Sequence, residues 1–244
     1  MPLRPSPRLA ASAALGLALA VTAACGDNDD NDADADAVPV EACVALVGLP
    51  GALAGDPAAA GPAFEAFTAT APDPLADEAA TIVAAYDGLF EGGDPSALSE
   101  PDFVDASGVV ADAYFAGCAT SAELDVEGVD FGFDGLPEEI SAGRVAIRFT
   151  NGTDTDEPHE LVLFRRLAGA DESPEELFAL PDEELFSKLA MTGVVFADAP
   201  GTEAVAMLDL EPGAYIAVCT LPVGGAEGGP PHFAEGMVAE LTAA

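Results

Sequence analysis

Apolar positions change their spacing along this chain near Ser121. Before that point they recur every three or four residues. Leu75, Ala79, Ile82, Val83, Tyr86, Leu89 and Phe90 fall on one side of a helix. It is introduced by Asp73-Pro74, carries Asp77 and Glu78 in its first turn, and is ended by Gly92-Gly93. A last helix over 100–117 sets Phe103, Val110 and Tyr114 on one side, and two shorter helical pieces, 40–47 and 62–70, precede these. Four helices in about eighty residues predict a small bundle over 39–120. Its tyrosines and phenylalanines read as core. It has no histidine cluster, basic patch or nucleophile with a partner base, so its role is not legible.

After Ser121 the period is mostly two, with turns at Gly and Pro. Val145, Ile147 and Phe149 alternate with Ala146, Arg148 and Thr150, and Leu161 and Leu163 with Val162 and Phe164. Ala206, Leu208 and Leu210 alternate with Val205, Met207 and Asp209; Tyr215, Ala217 and Cys219 share a face, and Met237, Ala239 and Leu241 close the chain. With 124–129, 131–133 and 194–196 this makes seven or eight short strands, which predicts a Greek-key β-sandwich over 121–244. Ser173-Pro174-Glu175-Glu176 is a capping-box start, and Asp182-Glu183-Glu184-Leu185 opens a second short helix, so a helical insert interrupts the strands.

Composition adds constraints. The 244 residues include 44 Asp and Glu against 7 Lys and Arg, a formal charge of −37. Such a surface repels nucleic acid and anionic headgroups. A partner held by charge is therefore basic, although the same charge serves solubility alone equally well. Residues 1–24 combine Arg4 and Arg8 with an uncharged Ala- and Leu-rich run, and read as a secretory signal. Val21-Thr22-Ala23-Ala24-Cys25 resembles a bacterial lipobox, which implies lipidation of Cys25 and an extracytoplasmic, membrane-anchored protein; cleavage nearby without lipid is the alternative. Residues 25–38 then form an acidic tether without apolar periodicity.

Four cysteines in an exported chain could pair in three ways. With Cys25 lipidated, Cys43 and Cys118 bracket the helical domain and form the natural pair. Cys219 is left over, and an odd thiol in an oxidising compartment is a liability unless it has a task. Beside it stand His232 and Met237; the only other histidine of the chain is His159. Two imidazoles, a thiolate and a weak axial thioether form the donor set of a type 1 copper site. Singly, each has a plain alternative: Cys219 as a small buried hydrophobe, His159 as a turn residue, Met237 as core.

Asn151, Pro158-His159, Leu161-Val162-Leu163-Phe164, Pro212-Gly213-Ala214-Tyr215, Cys219, His232 and Gly236-Met237-Val238 together resemble a cupredoxin, the blue-copper fold of plastocyanin and azurin. The resemblance covers residues 121–244 and excludes the helical domain. It implies His159, Cys219 and His232 as equatorial ligands and Met237 as the axial one. It also implies one-electron transfer with an exposed ligand edge, usually a histidine. Two departures stand out. Twelve residues, Thr220 to Pro231, separate Cys219 from His232, more than the family uses, which points to a site more open to solvent or to release. Glu160 stands where plastocyanin and azurin have an asparagine that steadies the thiolate ligand loop, and an ionised carboxylate cannot donate that hydrogen bond. The functions in view are an electron carrier, a copper carrier or sensor without redox work, and a metal-free interaction module. A multicopper oxidase needs many more histidines than two.

Overall fold

The computed structural model describes residues 38–54, 60–92, 95–155, 157–225 and 229–244. The signal segment, Cys25 and the tether up to Ala37 lie outside the described residues.

The helical part consists of α1 (Val40–Ala54), α2 (Gly61–Thr70), α3 (Ala76–Gly92) and α4 (Pro101–Gly117). The helix expected over 40–47 runs on through Pro50. Leu49 is buried in the bundle core, and that burial offsets the backbone hydrogen bond Pro50 cannot donate. The start expected at Asp73-Pro74 is a 3-10 turn, Asp73–Leu75, leading into α3. Phe64, Phe67, Tyr86 and Tyr114 fill the centre. Cys43 of α1 and Cys118, the residue capping α4, form a disulfide across 75 positions with their Cα atoms 5.9 Å apart.

Two sheets follow. One has the order β2-β1-β4-β7, from β1 (Ala122–Val129), β2 (Gly132–Asp134), β4 (Gly143–Asn151) and β7 (Glu203–Leu210). The other has the order β3-β9-β8-β5-β6, from β3 (Glu139–Ile140), β5 (His159–Arg166), β6 (Leu189–Ala197), β8 (Gly213–Val218) and β9 (Val238–Ala243). The strand not foreseen is β3, whose two residues are too few to show a period. Strand β6 starts earlier than 194 because a bulge between its pairings with Leu163 and Phe164 interrupts its alternation.

Alternation sorts side chains between two kinds of neighbour. Val145, Ile147, Phe149, Leu161, Leu163, Leu208, Tyr215 and Ala217 meet between the sheets. Of the residues pointing the other way, Ala146 and Met207 join the core of the helical bundle, so the bundle packs on the outside of the first sheet. Val162, Phe164, Ile216 and Val218 meet Leu177 of α5 (Pro174–Phe178) and Leu185 of α6 (Asp182–Lys188), so the insert packs on the outside of the second. The capping box at Ser173 forms in both directions. Among the described residues no helix is long and apolar enough to cross a membrane.

Candidate metal centre

Antiparallel pairing of β5 with β8 matches Val162 with Val218 and Leu163 with Ala217. His159 shares the inward parity of Leu161 and Leu163, and Cys219 that of Tyr215 and Ala217, so both side chains enter the space between the sheets at one end. The frame behind Cys219 is firm: the Tyr215 hydroxyl donates to the Glu211 carbonyl at 2.8 Å, anchoring the start of β8.

After Cys219 the chain makes its twelve-residue excursion and returns. Val223 N–H donates to the Pro230 carbonyl at 2.9 Å, His232 N–H to Leu221 at 2.8 Å, and Phe233 N–H back to Cys219 at 3.0 Å. A 3-10 turn, His232–Glu235, ends at Gly236 with φ of 119°, a left-handed conformation that glycine adopts without strain. That turn brings Met237 N–H onto the His232 carbonyl at 3.0 Å, and Cys219 N–H donates to the Met237 carbonyl at 3.2 Å. Hydrogen bonds through their backbones thus tie Cys219, His232 and Met237 together.

The donor atoms converge. His159 Nδ1 lies 3.2 Å from His232 Nδ1, and Cys219 Sγ lies 3.3 Å from His232 Nδ1. The ligating atoms of these three residues all lie within 4.8 Å of one another, and all three residues are buried. Met237 is fully buried beside them: a Cβ on Gly128 would meet both its Cε and the His159 Cβ at 3.2 Å. Gly128 therefore leaves the space that these two side chains fill. The group can hold a metal ion.

Electrostatics prepare the donors unequally. Burial, followed by the neighbouring His232, holds the His159 imidazole below its ordinary pKa, against the pull of Glu157 and Asp130, so it stays neutral. Burial pushes the Cys219 thiol up to about 12, while the amides of Glu160 and Leu221 act to lower it. Those two N–H groups stabilise negative charge on the sulfur once its proton leaves.

Three surrounding residues change the expectations drawn from the sequence. Glu160, 1% exposed, accepts from Thr220 N–H at 3.0 Å and from the Thr220 hydroxyl. It still pins the residue after Cys219, but as acceptor where an asparagine could also donate. Burial raises its pKa, and the Thr220 hydrogen bonds act the other way. Glu157 places Oε2 at 2.8 Å from His232 Nε2, and Gly224 N–H donates to its Oε1 at 3.0 Å. The Phe131 and His232 rings meet in a T-shaped contact, centroids 5.3 Å apart. His232 is consequently 0% exposed. The expected exposed histidine edge and the expected open loop are both corrected: in its described residues the long segment folds back onto Glu157 and covers the site.

Glu157 and Phe131 were missed by sequence reasoning. Glu157 is one of 44 acids in the chain, and only its place two residues before His159 hinted at a role.

No family model matches the chain, and no curated protein matches it. Solved structures do. An auracyanin from Roseiflexus castenholzii is 21% identical, covering 52% of this chain and 99% of its own, with a TM-score of 0.33. Auracyanin A, described as a "blue" copper protein from Chloroflexus aurantiacus, is 21% identical over 50% of this chain and 98% of its own, at 0.29. An azurin from Methylomonas sp. strain J is 19% identical over 51% and 99%, at 0.31. Over about half of its length this chain is similar to these cupredoxins, and it brings His159, Cys219 and His232 together beside Met237.

Proposed function

We propose that this protein is a type 1 copper protein that carries single electrons outside the cytoplasm, held to a membrane by lipid on Cys25. The observation supporting it is the buried convergence of His159 Nδ1, His232 Nδ1 and Cys219 Sγ beside Met237. The donor chemistry fits. Thiolate and thioether favour a soft metal, and imidazole suits copper in both oxidation states. Copper held there supplies a Cu(I)/Cu(II) couple.

The chain's own residues supply everything else. His159 is kept neutral and ready to donate a lone pair. Cys219 gives up its proton on binding, so affinity falls in acid. The Glu160 and Leu221 amides then face a thiolate. Glu160 holds Thr220, and the ties among Cys219, His232 and Met237 limit movement as charge changes. Burial of all four side chains excludes water. A covered site favours electron transfer over release of the ion. The acidic surface favours a basic redox partner.

The test is the visible spectrum. The purified protein loaded with Cu(II) is expected to absorb strongly near ~600 nm, from thiolate-to-copper charge transfer. Cys219→Ser is expected to abolish the band while leaving the fold. Tight copper binding without colour would favour a carrier, and failure to retain copper would leave an interaction module.

A further inference from the structure

Glu157 is held at three points that have nothing to do with solvation of a surface acid. The Asn151 side-chain amide donates to the Glu157 backbone carbonyl at 2.8 Å. Asn151 is itself fully buried, and its Oδ1 accepts from Thr153 N–H at 3.2 Å, so the amide that holds Glu157 is fixed from inside. Pro158 follows and restricts the backbone leading into His159. On the side chain, Oε1 accepts from Gly224 N–H at 3.0 Å, across 67 positions. The other oxygen, Oε2, lies 2.8 Å from His232 Nε2, and both of these atoms are buried without a hydrogen-bond partner, so each is left facing the other.

The consequence concerns the two nitrogens of His232. Its Nδ1 faces His159 and Cys219. With a carboxylate oxygen 2.8 Å from Nε2, the proton of the neutral ring belongs on Nε2, which leaves the Nδ1 lone pair free for a metal. A carboxylate behind a ligating imidazole also makes it a stronger donor and favours the higher charge state of the metal. The segment between Cys219 and His232 gains a reason for its length: through Gly224 it reaches the carboxylate that orients the second histidine.

We infer that Glu157 is a positioning residue for His232, fixing its tautomer and ring orientation through Nε2 and tuning the copper couple, with the Gly224 N–H as its clamp. This inference rests on the copper reading above.

The experiment compares wild type, Glu157→Gln and Glu157→Ala, each checked for folding by circular dichroism. Three quantities are read: the Cu(II) dissociation constant by chelator competition, the reduction potential, and the visible and EPR spectra. Glu157→Ala is expected to weaken Cu(II) binding about 10- to 100-fold and to raise the potential. Glu157→Gln, which can still accept from His232 through its amide oxygen, is expected to recover most of the affinity while the potential stays raised. A purely structural role would not separate affinity from potential in this way. Dissociation constants and potentials within twofold and within error of wild type in both variants would overturn the inference. A wild type that binds copper without the visible band defeats the blue-copper reading alone, since the ratio of dissociation constants still judges Glu157. A wild type that takes up no copper defeats both.

Discussion

At the scale of single residues, Glu160 carries the sharpest energetic tension. It is a buried acid that forms no ion pair among the described residues, and its carboxylate is met by the two hydrogen bonds from Thr220. Burial raises its pKa, so ionisation at neutral pH works against folding. Glutamine can accept the same two hydrogen bonds without a charge to bury. Glu160→Gln is therefore expected to match or exceed wild-type stability at pH 7. Glu160→Ala is expected to lose about 1–3 kcal/mol by removing the acceptor and leaving a gap. Denaturant titrations of both variants decide it, and a Gln variant as weak as Ala would refute the argument. Individual residues were also where the sequence was most and least readable. Two histidines and one unpaired cysteine are rare enough to stand out, and strand parity alone turns His159 and Cys219 inward. Glu157 was not readable, because its partners Asn151, Gly224 and His232 are brought to it only by folding.

Among elements, α1 and α4 are joined by the Cys43–Cys118 disulfide. Closing a loop of that size constrains the unfolded chain by about 4 kcal/mol in the chain-entropy view. Replacing both cysteines with Ala is expected to lower the melting temperature by several degrees. The visible spectrum of the copper-loaded protein should not change, since neither cysteine touches the donor group. Calorimetry paired with absorption checks both halves, and a lost band would mean that the bundle governs the site. The sequence foretold the pair of helices but not where the bundle sits. Ala146 and Met207 look like ordinary outward positions of an amphipathic strand, and only the fold shows that bundle residues cover them. The insert behaves alike: Phe178 of α5 packs on Phe233, centroids 4.9 Å apart, immediately after His232. A helical interruption legible only as a capping box thereby braces the segment that delivers a donor.

For the whole molecule, the donor residues set a pH window when no metal is bound. The folded state favours neutral His159, so its contribution is present above ~6.5 and is lost as pH falls through the lowered value. It also favours the Cys219 thiol, whose contribution is present below ~8.5 and is lost as pH rises toward about 12. Melting temperatures of metal-free protein should thus fall on both flanks, and Cys219→Ser should flatten the alkaline flank alone. Equal melting temperatures at pH 7 and pH 10 in metal-free wild type would contradict this.

The five cations outside the first eight residues all serve internal ends: Arg144 with Asp209, Arg148 with Asp125 and Glu203, Arg165 with Glu211, Arg166 with Glu240, and Lys188 with Glu172. Across the described residues, what faces outward is then a field of one sign. Two copies that share such a field repel, so on the electron-carrier proposal above passage from copy to copy is disfavoured and a protein of a different kind is expected to take the charge.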